Sequence, residues 1–220
     1  MAWQDTWLRI SDVIGWRWSV IAQRIENRLS SSSGEWARQV MDAATEKHVR
    51  GLAYAGMDAL EISGDKWKNF GFKTYRSADF STFDVCEGPL APEAFDIVIA
   101  EQVLEHVLWP YRAARHLFQM LRPGGHLVVT TPFLVLVHEC PVDCSRWTEL
   151  GLKHLLAEGG FPLTAIETGS WGNRTCARGS LRRPPRYVPW YHTLQNDPSY
   201  PMVVWAFATR DGTRAPEDRR

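Results

Sequence analysis

Carboxylates and histidines gather at a few points of the chain, each just after an apolar run. Glu101, Gln102, Glu105 and His106 follow FDIVIA (95–100). His138 and Glu139 follow a second apolar stretch, with Asp143 and Arg146 close behind. Glu61, Ser63 and Gly64 end a third, Asp79 a fourth, and Asp84 stands in the loop after it. A neutral imidazole can take a proton from a hydroxyl as that hydroxyl attacks an electrophile, because imidazole titrates near neutral pH. A carboxylate offers several acceptor sites and can receive two donors at once, as two ribose hydroxyls would present. Glu101, His138, Glu139 and Asp143 could hold a divalent cation, and an oxygen-rich set suits magnesium. Their spacing fits no recognised ligand pattern, so a metal-free set of acids and histidine is the first reading.

Each of these residues also has a plainer role open to it. Glu61 could be a capping or surface acid, and Asp79 and Asp84 ordinary turn acids. Glu105 and His106 read as the start of a helix, where an acid suits the positive end of the dipole, so His106 is taken as structural. His138 could fix its loop instead of serving as a base. Asp143 and Arg146 could orient His138, bind substrate or pair with each other.

The positions gain meaning from the elements that carry them. Apolar, β-branched runs at Met57–Ile62, Phe95–Ala100, His126–Thr131, Leu163–Glu167 and Val203–Thr209 predict strands, with a weaker one at Thr74–Ala78. Helical patterns at 111–121 and 148–158, the second with Thr148 as N-cap and Gly159-Gly160 behind it, separate them. Such alternation predicts a doubly wound, mostly parallel α/β sheet. In such sheets ligands sit beyond the carboxyl ends of the strands, where the acids and histidines stand. Ahead of the sheet, Trp3, Trp7, Ile10, Ile14, Trp18, Ile21, Ile25 and Leu29 recur at helical spacing, and a second helix runs from Glu35 to about Leu52. The expected layout is one domain over 1–210, with a helical cap at 1–52, a core at 57–168, a long aperiodic loop at 169–200 and a disordered tail at 211–220.

Residues 59–161 resemble the class I S-adenosylmethionine-dependent methyltransferases, in the Rossmann-like branch associated with sugar and glycan modification. The stretches that carry the resemblance are ALEISG (59–64), SAD (77–79), FDVCEGPLAPEAFDIVIAEQVLEHV (83–107), LRPGGHLVVTTPF (121–133) and HECPVDCSRWTELGLKHLL (138–156). More distantly the chain is similar to the methyltransferases of methylmannose polysaccharide synthesis. The resemblance implies a sheet of seven strands, with S-adenosylmethionine as cofactor and S-adenosylhomocysteine as product. It implies cofactor contacts from Glu61, Ser63, Gly64, Asp79, Phe80, Asp84, Val85 and Gln102. Glu101 and Gln102 would face the reacting methyl. The chain departs from the family in its first turn, Ser63-Gly64-Asp65-Lys66-Trp67, which has one glycine where three are usual and so allows a less close backbone approach.

The expected activity is O-methylation of a sugar or oligosaccharide hydroxyl, with His138 as base and Glu101 beside it. Asp143, Arg146, Trp171 and Tyr191 are the expected substrate residues, because flat aromatic faces with hydrogen-bonding edges suit carbohydrate. Arg178, Arg182, Arg183 and Arg186 could instead meet an anionic substrate or simply be solvated. N-methylation of a small metabolite and a non-catalytic cofactor-binding module are the alternatives. Lys and Arg number 25, as do Asp and Glu, so no bulk charge draws the chain to nucleic acid or to anionic membranes. No run reaches the ~20 apolar residues of a membrane helix, and the N-terminus does not read as a signal peptide. The four cysteines are too sparse for a disulfide scaffold, which points to a cytoplasmic protein. A homodimer is compatible with all of this.

Overall fold

A computed structural model describes residues 35–139, 141–181 and 185–212. The first predicted helix, over 3–29, lies outside them. The second is α1, Trp36–Arg50. Strands β1 (Asp58–Ile62), β2 (Thr74–Ala78), β3 (Phe95–Glu101) and β4 (Leu121–Pro132) pair in parallel. Helix α2 (Pro110–Met120) joins β3 to β4, α3 (Glu149–Gly159) precedes β5 (Ile166–Trp171), and α4 (Arg174–Ser180) follows it. Strand β6 (Val203–Thr209) runs antiparallel between β4 and β5, giving the order β2-β1-β3-β4-β6-β5.

The sheet described has six strands, not the seven expected. Among the described residues no strand forms between β2 and β3. Asp79–Ala94 is sixteen residues long and folds as turns. Each parallel crossover takes a dozen residues or more, so two crossovers and a strand do not fit there. Two other boundaries differ. Arg122–Gly125 continues into β4 instead of merely stopping α2. Leu163–Ala165 is a short 3-10 turn, so β5 begins three residues later than expected and takes Gly169–Trp171 out of the predicted loop. Helix α4 takes seven more. Thr148 caps α3 as expected, accepting the Gly151 N–H at 3.0 Å.

Alternation along the strands sets the two faces. Val98 and Ala100 of β3 join Leu60, Leu127 and Val129 under α2 and α3, while Ile97 and Ile99 join Ala59, Val128, Val49 and Trp67 on the other face. A third cluster gathers Trp36 and Met41 of α1 with Trp171, Cys176 and Met202. Burial pushes the Cys176 thiol up to about 12, so it packs as a small apolar group.

Helices α2 and α3 meet at Gly159, where a Cβ would stand 2.8 Å from the Ala114 carbonyl carbon and 2.9 Å from its oxygen. Backbone cannot yield as a side chain can. Gly159→Ala is expected to cost about 1–3 kcal/mol by overpacking, read as a lower midpoint in urea. An unchanged midpoint would mean that the helices can separate freely.

Candidate functional site

The sheet order reverses between β1 and β3: the chain winds outward from β1 to β2, then back across to β3 and β4. A crevice opens beyond the carboxyl ends at such a point. The two residues that leave those ends, Ser63 and Gln102, both adopt positive φ, 57° and 55°. Non-glycine residues take that conformation at a cost and cluster at functional sites. Both are held there. The Ser63 N–H donates to the Ala78 carbonyl at 2.9 Å, and the Gln102 N–H to Thr130 O at 2.9 Å.

Two cavities meet at this edge. One, of about 370 Å³, is walled by Ile62, Phe80, Phe83, Asp84, Val85, Cys86, Leu108 and Trp109, with Pro141 and Val142 above. Phe80, Leu108 and Trp109 are apolar and yet exposed, as a rim awaiting a flat apolar partner would be. The other, of about 640 Å³, is lined by Glu35, Arg38, Glu101, Glu105, His138, Ser180 and the apolar run Val135–Val137. Ser63, Gln102 and His106 line both. A ligand in the first cavity therefore borders a ligand in the second across these three side chains.

Of the residues expected at a cofactor, Ser63, Phe80, Asp84, Val85 and Gln102 line the smaller cavity. Asp84 Oδ1 also accepts the Cys86 N–H at 2.8 Å, which fixes the loop. Asp79 stands exposed after β2, and its carbonyl ends the strand by accepting the Thr82 and Phe83 N–H groups. Glu61 lines neither cavity. It is buried, with Oε2 accepting the Trp67 N–H at 3.0 Å and the Tyr75 hydroxyl at 2.6 Å. It shapes the first turn, and burial together with Glu61 holds the Tyr75 hydroxyl above its ordinary pKa. Gly64 is needed for that turn, since a Cβ would stand 2.6 Å from Glu61 Oε1. The single glycine thus makes room for a side-chain brace where the usual turn has bare backbone.

Glu101 faces the larger cavity, but its carboxylate is already engaged. Lys66 Nζ lies 3.2 Å from both oxygens, and the Trp67 indole N–H donates to Oε2 at 3.2 Å. His138 is on an exposed coil, its side chain 45% accessible. Asp143 receives its backbone N–H at 2.9 Å and is gripped in turn by the Arg146 guanidinium, with Nη2 to Oδ2 at 2.6 Å. That pairing holds the Asp143 carboxyl well below the usual carboxylate range. With its side chain 2% exposed, Asp143 cannot reach a substrate, so of the three roles weighed it pairs with Arg146 and orients His138. Trp171 is another correction: its indole is buried against Trp36 and donates to Leu194 O at 2.9 Å, so it is core, not a sugar platform. Tyr191 is exposed among Trp190 and His192 and lines neither cavity.

The site residue that sequence reasoning undervalued is Glu105. Leu104–His106 is a single 3-10 turn, not the start of a helix. It buries Glu105 completely, and neither carboxylate oxygen receives a hydrogen bond from any other described residue. Burial pushes its pKa up to about 7, against the pull of its own backbone N–H and of His138 and Arg146. Its place immediately before a histidine and four residues beyond a strand end was the available signal. His106 Nε2 lies 3.8 Å from Glu105 Oε1, and the His106 and His138 rings meet edge to face at 5.1 Å.

Residues 29–166 match the profile of the methyltransferase domain family. A curated relative from Mycolicibacterium smegmatis, described as a probable S-adenosylmethionine-dependent methyltransferase, is 27% identical over 169 residues. That match takes 73% of this chain and 61% of the relative, so the chain spans about three-fifths of the relative's length. Among solved structures, the phosphoethanolamine N-methyltransferase 2 of Haemonchus contortus in complex with S-adenosyl-L-methionine superposes with a TM-score of 0.54 at 15% identity, over 82% of this chain and 54% of that one. A SAM-dependent methyltransferase from Archaeoglobus fulgidus does so with a TM-score of 0.53 at 12% identity, over 86% and 99%. At such identities the likeness bears on the fold, which is the Rossmann-like α/β fold of those enzymes with a mixed sheet.

Proposed function

Because the chain belongs to the methyltransferase domain family, we propose that it is an enzyme that transfers a methyl group from S-adenosylmethionine to a hydroxyl of a sugar or oligosaccharide. The observation that carries this reading is the pair of adjoining cavities, which share Ser63, Gln102 and His106 at the switch point of the sheet. When bound, S-adenosylmethionine supplies a methyl on a positively charged sulfur, which leaves with the electron pair of the broken bond as the thioether S-adenosylhomocysteine.

The residues present fit that group. Phe80, Phe83, Val85, Leu108 and Trp109 offer apolar and aromatic walls to a flat base. Asp79 lines neither cavity but follows the carboxyl end of β2 next to the cavity-lining Phe80, where its carboxylate would meet the ribose hydroxyls, and Asp84 lines the cavity where the base would lie. The larger cavity has polar groups suited to a polyhydroxylated acceptor: Glu35, Arg38 and Ser180 in its lining, with Glu101 fixed by Lys66. His138, Glu105 and His106 are the groups able to relieve the acceptor hydroxyl of its proton. No helix among the described residues is long and apolar enough to cross a membrane.

Turnover of labelled S-adenosylmethionine against panels of sugars and of small amines tests the reading. Label on an amine alone would replace the sugar by an amine acceptor; cofactor binding without any turnover would leave a binding module. Asp79→Ala is expected to weaken S-adenosylhomocysteine at least tenfold in calorimetry, since even one hydrogen bond to a charged acceptor is worth roughly 1.5–3 kcal/mol. An unchanged affinity would remove Asp79 from the cofactor site.

A further inference from the structure

Glu105, His106 and His138 each bring one ligand atom within 4.8 Å of the other two, at the floor of the larger cavity. We propose that these three residues bind a divalent transition-metal ion that holds the acceptor by its oxygen. Its role toward the acceptor rests on the function proposed above; the binding of the metal does not.

Three independent features support a built site. The first is Glu105. A fully buried carboxyl that receives no hydrogen bond from any other described residue is rare, because an unmet buried polar group is costly. A cation is the partner that such a group lacks. The second is the orientation of the two imidazoles. His106 Nδ1 lies 2.6 Å from the Val142 carbonyl oxygen, and His138 Nδ1 lies 3.1 Å from the Leu136 carbonyl oxygen and 3.4 Å from Asp143 Oδ2. Carbonyls only accept, so each Nδ1 must carry the proton, and each Nε2 keeps its lone pair. Metal-binding histidines are held in this way, with the second ring nitrogen donating to a carbonyl or carboxylate. The third is the Arg146–Asp143 pair, which anchors the coil carrying His138 from behind.

The donor set also selects the metal. Two imidazole nitrogens and one carboxylate suit zinc, manganese, iron or cobalt better than magnesium or calcium, which prefer oxygen. The oxygen-rich set expected from the sequence does not form, since Lys66 occupies Glu101 and Arg146 occupies Asp143. In a tetrahedral site with bonds of 2.0–2.1 Å the ligand atoms stand about 3.3 Å apart, so the cluster must draw in. The coil stays anchored, and the His138 side chain, the most exposed of the three, is the one able to turn toward the others. Three protein ligands leave coordination positions open toward the cavity, where an acceptor hydroxyl would bind and become easier to deprotonate.

Cobalt(II) is the probe. The full chain, stripped with a chelator, is titrated with Co²⁺ at pH 8 and followed by its visible ligand-field bands and by calorimetry. One equivalent per chain is expected. Glu105→Gln and His138→Ala should each weaken it at least tenfold, while His154→Ala, an exposed histidine on α3, should leave it unchanged. S-adenosylhomocysteine affinity, measured on the same samples, serves as the check on folding. Cobalt affinity equal in the wild type and in both ligand variants, or no stoichiometric uptake at all, overturns the site. A chain that takes up cobalt at these residues but binds no S-adenosylhomocysteine keeps the metal and loses the methyltransferase reading.

Discussion

Replacing Glu105 by glutamine is expected to stabilise the metal-free protein by roughly 3 kcal/mol at pH 8 and to change it little at pH 4. In the folded chain the Glu105 carboxyl keeps its proton up to about pH 7, because burial disfavours the anion; an ordinary glutamate has lost it by about 4.5. Between those values the folded state binds more protons than the unfolded one, so stability falls as pH rises, by about 1.4 kcal/mol per unit. Below the window both states hold the proton, and glutamine and glutamic acid are near equivalents. Above it the wild type carries an uncompensated buried charge, which glutamine lacks. Urea unfolding of both forms, with chelator, at pH 4, 6 and 8 checks this. Equal pH dependence in the two would mean that Glu105 finds a donor in solution. A residue that weakens the fold at neutral pH is a natural candidate for function, since sites keep groups that packing alone would reject.

The elements that hold this site were largely legible, because apolar periodicity reports burial directly. FDIVIA could hardly be anything but a central strand: its two faces feed two different core clusters. Thr148 announced α3 by the chemistry of an N-cap. What failed did so for physical reasons. The expected seventh strand came from the resemblance, and a count of residues between Ala78 and Phe95 would have refused it. Trp171 was read as a platform because aromatic rings serve cores and ligands equally well, and only packing against Trp36 decides between them. Glu61 was read as a ligand because a strand end and a carboxylate suggest one; its spacing to Trp67 and Tyr75, which claims its oxygen, exists only in three dimensions. Glu105 was passed over because an acid beside a helix start has a ready explanation, and its lack of a hydrogen bond from any other described residue is invisible in one dimension.

His138→Ala is expected to lower kcat by roughly two to four powers of ten while leaving S-adenosylhomocysteine affinity near that of the wild type. The separation follows from the geometry, since His138 lines the larger cavity and not the smaller one. A sugar hydroxyl is a poor nucleophile while it keeps its proton. The Nε2 lone pair of His138 can answer this by taking the proton, or by holding a cation that makes the proton easier to lose, and alanine removes both. Added imidazole should restore part of the rate, because the exposed coil leaves room for it beside Leu136. A variant with full turnover would reduce His138 to a residue that shapes the coil through Asp143 and Leu136. The proton would then fall to Glu105, which lies in the same cavity.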